Sequence, residues 1–117
     1  MRFLSFNIRY DNPADGLDAW HHRVSSVADL VARYRPDAVG LQEAKKNQSE
    51  DLAHVLGSLP NLDYAWLGVG RDDGRDGGEH NPIFYRRSAL ALEVSGTFWL
   101  SDTPEQPGSR FEETPLP

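Results

Sequence analysis

The stretch Asp37-Ala38-Val39-Gly40-Leu41-Gln42-Glu43 decides the fold, because it reads as a buried strand that ends on a carboxylate. Its short apolar run is typical of strands that are covered on both faces. Ligand sites in open α/β sheets form where strands end, and a buried charge must be paired, protonated or bound to a cation. Glu43 is therefore the first candidate for a functional residue. The alternative is that Glu43 is the first residue of a solvated loop.

A second strand is predicted over Arg2 to Ile8, where apolar and polar side chains alternate and Leu4 and Phe6 share the apolar face. Asn7 is the anomaly in this strand, because asparagine is depleted in strands and a buried amide needs partners for two donors and an acceptor. Its side chain could bond the neighbouring backbone, or it could contact a phosphate or a metal ion. The sequence leaves both interpretations open.

Two helices are predicted between and after these strands. Asp18 has the position of an N-cap for a helix that begins near Ala19. A second helix is expected up to about Leu56, with Asn47 or Ser49 as its cap. Residues of the first helix with the spacing of a sheet-facing side are Val24, Val27, Leu30, Val31 and Tyr34.

The second half of the chain predicts more strands and one long loop. The predicted strands cover Tyr64–Val69, Asn81–Arg86, Leu90–Val94 and Thr97–Leu100. Gly70–His80 is rich in glycine and charge, so it predicts an exposed, mobile loop. Its aspartates lack the spacing of a calcium-binding EF-hand loop. From Ser101 onward, prolines and polar residues without periodicity predict no regular element.

Composition narrows the class of protein. The 117 residues fit one domain over 1–117, and 38% hydrophobic with 26% charged residues is typical of a globular protein. No apolar run is long enough to cross a membrane and no secretory signal is visible, so we expect a cytoplasmic location. The absence of cysteine excludes disulfides, a thiolate zinc site and a cysteine nucleophile. The net charge of −6 argues against a broad grip on nucleic acid, although a local basic patch or a metal could still bind phosphate.

Taken together, these segments resemble the N-terminal half of the endonuclease/exonuclease/phosphatase family, the metal-dependent phosphoesterases related to deoxyribonuclease I and exonuclease III. The order and spacing of the matching segments make the resemblance specific, and they span nearly the whole chain. The matching segments are Ser5–Tyr10, Arg35–Asp37, Gly40–Glu43, Gly78–Arg86, Gly96–Ser101, Pro104 and Pro107–Ser109.

The resemblance implies an α/β fold, namely the N-terminal half of a four-layer α/β sandwich in which two helices cover a mixed sheet. It implies that Glu43 is the magnesium-binding glutamate and that Asn7 lies beside the metal and the scissile phosphate. Magnesium, with manganese as a possible substitute, would neutralise charge on the phosphoryl oxygens and orient an attacking water.

Three further residues are implicated in substrate binding by the same resemblance. Glu79 and Asn81 occupy positions that line the cleft in family members, and the alternative for Asn81 is a structural role before Pro82. Arg9 could reach a phosphate of the substrate or simply pair with a nearby acid.

The chain also departs from the family pattern. The family's remaining catalytic groups, a histidine, an Asp-x-Asn strand end and a closing Asp-His pair, have no match here, and neither His54 nor His80 fits those roles. We therefore expect a truncated portion of a hydrolase that acts on a phosphate ester, inactive on its own. The alternative is a non-catalytic binding or assembly module. Without a second sheet, one sheet face would stay uncovered, so we expect self-association through that face or marginal folding.

Overall fold

A computed structural model describes all residues 1–117 and contains one four-stranded mixed sheet with two helices packed on one face. The strand order is β1-β2-β4-β3; β1 and β2 are parallel and the other pairs are antiparallel. The α/β class and the mixed sheet with two helices are therefore confirmed. In chain order the elements are β1 Phe3–Asn7, a 3₁₀ helix Pro13–Asp18, α1 Trp20–Tyr34, β2 Ala38–Gln42, α2 Lys46–Gly57, β3 Tyr64–Leu67 and β4 Ile83–Arg86.

The core lies between the helices and one face of the sheet. Alternation along the strands sends Val39 and Leu41 of β2 and Phe84 of β4 to this side, where all three are fully buried. The helices contribute apolar stripes at helical spacing. The helical residues in the core are Trp20, Val27, Ala28, Val31, Leu52 and Leu56. Neither helix has the length and apolar composition that a bilayer crossing requires.

The opposite face of the sheet is left uncovered. Phe3 is 67% exposed and Ile83 is 46% exposed, although both are large apolar residues inside strands. Further along the chain, Leu92 is 51% exposed and Val94 is 86% exposed. Exposed apolar groups that cluster on one side of a domain mark a surface for interaction.

Both helices begin at different residues from those the sequence predicts. Asp18 is not an N-cap, since it ends the 3₁₀ helix, and Ala19 with extended backbone precedes α1. Similarly, α2 begins at Lys46, so Asn47 and Ser49 lie inside the helix and do not cap it. At the start of α2, Gln48 Oε1 accepts a hydrogen bond from the backbone N–H of Lys45, so a residue inside the helix satisfies its cap. Sequence patterns locate helix ends only to within a few residues.

The later strand predictions are correct only in part. β3 ends at Leu67, directly before Gly68, and β4 begins at Ile83, after Pro82, which has no N–H to donate. The strands predicted over Leu90–Val94 and Thr97–Leu100 are wrong. From Ala91 to Phe98 no backbone N–H or C=O makes a hydrogen bond within the chain. A strand needs a neighbour, and no other segment of these 117 residues provides one.

The loop Gly70–His80 is more ordered by hydrogen bonds than its composition suggests. Asp72 and Asp76 are exposed as predicted, but Gly70 is buried and His80 is only 2% exposed, so the prediction of an exposed loop is wrong at both of its ends. The backbone N–H of Arg71 donates to Glu79 O (3.0 Å), and the N–H of His80 donates to Ala44 O (2.5 Å). These bonds close the loop and attach its end to the residue that follows Glu43.

Asp37 directly precedes β2, at the opposite end of this strand from Glu43, and it connects three strands there. Its carboxylate accepts a hydrogen bond from the backbone N–H of Arg2 (2.6 Å) and another from the Arg86 guanidinium. Its carbonyl accepts from the N–H of Arg86 (2.8 Å). The hydrogen bond from Arg2, followed by the one from Arg86, holds the pKa of Asp37 below its ordinary value. The ionised carboxylate therefore stabilises the junction of β1, β2 and β4.

We predict that this junction weakens in acid. Because the folded-state pKa of Asp37 is depressed, its contribution to the free energy of unfolding is present above the ordinary carboxyl pKa of about 4 and is lost as the pH falls through the lower folded value. Urea unfolding from neutral pH downward should show a shallower loss of stability for Asp37→Asn than for the native chain. Asp29→Asn, on the exposed side of α1, serves as the control. Equal acid slopes for the native and Asp37→Asn chains would contradict the assignment.

Candidate active site

Asn7 and Glu43 meet at the ends of the two parallel strands. The register pairs Asn7 with Gln42, so Glu43 lies one residue beyond the pair. Asn7 Nδ2 donates a hydrogen bond to Glu43 Oε1 (3.0 Å). Asn7 Oδ1 accepts from the backbone N–H of Arg9 (2.9 Å), which fixes the orientation of the amide. The amide thus bonds the local backbone and also contacts a residue 36 positions away.

The backbone turns sharply at both strand ends. Arg9 has φ of 59° and Glu43 has φ of 60°, in the left-handed region that side chains other than glycine rarely adopt. Such conformations persist only where the surroundings enforce them, and they cluster at functional sites. Here they bring Glu43 next to Asn7 on the side of the sheet that the helices do not cover.

Gln48 holds both turns in place. This residue of α2 is fully buried, and its Oε1 accepts hydrogen bonds from the backbone N–H groups of Asp11 (2.9 Å) and Lys45 (2.9 Å). Its Nε2 donates to the carbonyl of Arg9 (2.8 Å). One side chain therefore ties the segment after β1 to the segment after β2.

The role of Gln48 is not among the predictions made from the sequence, although its position in α2 carries a signal. Gln48, Leu52 and Leu56 follow one another at intervals of four residues, so the glutamine occupies the apolar stripe of α2. A polar residue in such a stripe must find hydrogen-bond partners inside the protein.

Arg9 is paired with a nearby acid. Its Nε and Nη2 donate to the two carboxylate oxygens of Asp15 (3.0 and 2.8 Å). The hydrogen bonds from Arg9 hold the pKa of Asp15 below its ordinary value. The pair lines a separate groove with Asp18 and Arg23. Of the two interpretations of Arg9, the structure shows the ion pair.

Glu79 and Asn81 flank His80, whose backbone is bonded to Ala44, so both lie near the edge that carries Glu43. Glu79 accepts a hydrogen bond from Arg71 Nη1 (2.9 Å), whereas the Asn81 side chain makes no hydrogen bond within the chain. Both line a pocket of about 200 Å³, whose walls also include Arg71 and Trp99. Neither Asn7 nor Glu43 lines that pocket. The side chains of the five predicted residues therefore fall into three places, and only those of Asn7 and Glu43 are hydrogen-bonded to each other.

The sequence profile of the endonuclease/exonuclease/phosphatase family matches residues 4–108. The chain belongs to this family. A family member from Bacteroides vulgatus is 39% identical, with a TM-score of 0.91 over 98% of this chain and 42% of that protein. The mannosyl-6-phosphatase of Bacteroides thetaiotaomicron is 37% identical, with a TM-score of 0.90 over 99% of this chain and 42% of its own. No curated protein matches the chain.

A third similar structure, a protein of unknown function from Enterococcus faecalis V583, is 29% identical, with a TM-score of 0.87 over all of this chain and 43% of that protein. The chain thus spans less than half the length of each of these solved relatives. The extent of the match is consistent with an N-terminal half of the endonuclease/exonuclease/phosphatase fold.

The donor atoms at this site are of the type that magnesium prefers. Glu43 Oε2 has no hydrogen-bond partner in the chain, and Asn7 Oδ1 retains a second lone pair beside the one used by Arg9. Magnesium takes oxygen ligands and often keeps several waters, so few protein groups can hold it. No three His, Cys, Asp or Glu side chains come together as a metal cluster anywhere in the chain. The residues present therefore fit a hard cation, with only one protein carboxylate to hold it.

We predict that Gln48→Met loosens the site and destabilises the chain. Methionine preserves the bulk but leaves two N–H groups and a carbonyl without their partner, so the free energy of unfolding should fall by roughly 2 kcal/mol. Urea unfolding followed by tryptophan fluorescence measures this change, and NMR should show shifted Asn7 side-chain amide signals. Gln106→Met, at an exposed position, should change stability by less than about 0.5 kcal/mol. Unchanged Asn7 signals in Gln48→Met would rule out the positioning role.

Proposed function

We propose that this chain is part of a magnesium-dependent phosphoesterase, in which Glu43 holds the metal and Asn7 contributes to the same site. The observation that carries the proposal is the hydrogen bond from Asn7 Nδ2 to Glu43 Oε1 at the ends of two parallel strands. Family membership supports the hydrolase class. Strand ends of α/β sheets are also where ligand sites form.

Each residue has a separate task in this proposal. A bound magnesium ion, or manganese in its place, would neutralise charge on the phosphate oxygens and orient an attacking water. Asn7 holds one carboxylate oxygen of Glu43, so that the other oxygen is available as a ligand. The backbone N–H of Arg9 fixes the Asn7 amide in that orientation. Glu79 and Asn81, in the pocket that they share with Arg71 and Trp99, would contact the part of the substrate beyond its phosphate.

The substrate in this proposal is a phosphate ester, and sugar phosphates are the first class to test. One relative with 37% identity is a mannosyl-6-phosphatase. Nucleotides, phospholipids and DNA ends are also phosphate esters, but the net charge of −6 disfavours long nucleic acid as a partner.

Manganese provides a direct test of the metal site. Titrating the chain with Mn²⁺ should broaden the NMR signals of the Asn7 side-chain amide and of the backbone around Glu43, and excess Mg²⁺ should restore them. Binding should be weak, because one carboxylate and one amide are few ligands. Glu43→Gln should abolish the broadening. The control Glu50→Gln, at an exposed position of α2, should leave the broadening unchanged. Broadening centred on the aspartates of Gly70–His80 would contradict the assignment of the metal site to Glu43. Tight binding would contradict the claim that the site has too few protein ligands.

Hydrolysis by the isolated chain should remain near background. Phosphoryl transfer needs a positioned nucleophile in line with the leaving group, and one carboxylate with one amide does not supply that arrangement. The assay compares the native chain and Glu43→Ala on mannose 6-phosphate and on p-nitrophenyl phosphate with magnesium. Equal background rates are expected. Robust turnover by the native chain that Glu43→Ala abolishes would show that these 117 residues already form a complete site.

The second candidate is a non-catalytic binding or assembly module that self-associates through the uncovered sheet face. The exposure of Phe3 and Ile83 inside strands favours it. In that case the Asn7–Glu43 contact is only structural. Sedimentation of Glu43→Ala and of Phe3→Ser separates the two candidates. A module would lose its assembly with Phe3→Ser, and the manganese titration would show no site at Glu43.

A further inference from the structure

Arg23 of α1 directs its guanidinium at the backbone that follows β1. Its Nε donates to Asp18 O (2.6 Å), its Nη1 to Ile8 O (2.8 Å) and its Nη2 to Arg9 O (3.5 Å). The guanidinium forms no ion pair, although Asp15 and Asp18 line the same groove. The positive charge of Arg23 is therefore used on main-chain carbonyls and not on an acid.

The position of Arg23 in α1 is unfavourable for a cation. The helix begins at Trp20, and positive charge near a helix N-terminus is opposed by the helix dipole. The guanidinium carbon lies 5.7 Å from the centroid of the Trp20 ring, which is fully buried. The bonds to three carbonyls offset this placement, because hydrogen bonds from a charged donor are stronger than those between neutral groups.

The bond to Ile8 O acts on the peptide unit that orients Asn7. The carbonyl of Ile8 and the N–H of Arg9 belong to one planar, trans peptide unit, so the two groups point in opposite directions. Arg23 bonds the carbonyl end of this unit, and Asn7 Oδ1 accepts from its N–H end (2.9 Å). No other group in the chain bonds the Ile8 carbonyl. Arg23 therefore sets the direction of the N–H that fixes Asn7.

The Asn7 amide depends on this N–H, because packing does not hold it. Asn7 is exposed, so rotation would exchange its oxygen and nitrogen unless hydrogen bonds fixed them. With Oδ1 on the Arg9 N–H, Nδ2 faces Glu43 Oε1 and donates to it (3.0 Å). If the peptide unit turned over, the Ile8 carbonyl would face Oδ1, and two acceptors would repel each other. The amide would then lose the orientation that suits Glu43.

Gln48 does not perform this task. Its Nε2 bonds the carbonyl of Arg9 (2.8 Å), which belongs to the next peptide unit along the chain. The two helices thus hold consecutive peptide units of one turn, and only Arg23 anchors the unit that faces Asn7. Loss of Arg23 would leave the bonds from the N–H groups of Asp11 and Lys45 to Gln48 in place.

We propose that Arg23 is a positioning residue of the candidate active site. Through the peptide unit between Ile8 and Arg9, it holds the Asn7 amide with its nitrogen toward Glu43, which leaves Glu43 Oε2 available to a metal ion. The effect on the metal rests on the proposed function, whereas the orientation of Asn7 does not. The competing role is purely structural, in which Arg23 only attaches the segment after β1 to α1.

The first test follows the Asn7 side-chain amide signals by NMR in Arg23→Gln. Glutamine lacks the charge and cannot bond the carbonyls of Ile8 and Asp18 together. The Asn7 signals should therefore move toward those of a freely rotating amide, and the backbone signals of Lys45 should stay in place.

Two controls separate orientation from charge and from stability. Arg33→Gln removes the same charge at an exposed position in the last turn of α1. Val27→Ala destabilises the buried side of the same helix without removing a bond to the turn. Both variants should keep the native Asn7 signals. Val27→Ala signals that match those of Arg23→Gln would assign the shift to lost stability and overturn the proposal.

The second test is a Mn²⁺ titration of the same chains. The concentration that half-broadens the backbone signal of Glu43 should rise by about tenfold in Arg23→Gln, because hydrogen-bond partners of metal ligands tune affinity by that order. It should not change in Arg33→Gln. An unchanged midpoint in Arg23→Gln would overturn the link to the metal. Shifted Asn7 signals in a chain whose native form binds no Mn²⁺ would overturn the proposed function and leave the orientation of Asn7 by Arg23 intact.

Arg23→Lys keeps the test decisive if Arg23→Gln does not fold. Lysine keeps the charge, but a single ammonium lacks the planar fork that bonds the carbonyls of Ile8 and Asp18 at once. The Asn7 signals should shift in the same direction by a smaller amount. Native Asn7 signals in either folded variant would overturn the proposal. Failure of both variants to fold, while Val27→Ala folds, would also overturn it, since Arg23 would then have a structural role only.

Discussion

The parallel pairing of β1 with β2 is the constraint on which the rest of the structure depends. Five residues of each strand pair in register, from Phe3 opposite Ala38 to Asn7 opposite Gln42. Because side chains alternate between faces, a slip of one residue would turn Asn7 toward the helices and away from Glu43. Parallel neighbours also require a crossover, and α1 provides it. The site and the core thus depend on the same register.

Two side chains stabilise this register, one at each end of the paired strands. At the beginning of the strands, Asp37 bonds the backbone of Arg2 and the side chain of Arg86, which joins β1, β2 and β4. At the ends of the strands, Gln48 bonds the backbone of Arg9 and Lys45. Both residues are buried and their side chains form hydrogen bonds to the main chain, so the geometry of these side chains is set by the backbone itself. A polar side chain that bonds two strands fixes their relative position more tightly than apolar contacts alone.

The uncovered face gives the fold its second constraint. The two helices bury one face of the sheet, and no element of the chain covers the other face. Asn7 and Glu43 lie on the other side, where Phe3 and Ile83 are exposed. The candidate site therefore shares a face of the sheet with these exposed apolar residues. The loop Gly70–His80 approaches the same edge through the bond between His80 and Ala44.

Local patterns in the sequence were sufficient for the class of fold, both helices, the first two strands and the proximity of Asn7 and Glu43. Alternation and helical spacing are properties of neighbouring residues, and parallel strands bring their carboxyl ends to one edge, so these features can be read without a structure. Only the tertiary structure decided which distant groups meet: Arg2 and Arg86 at Asp37, the role of Gln48, and the lack of any partner for 91–98. Hydrogen bonds between distant segments depend on where the folded backbone places each group, and periodicity carries no record of that position.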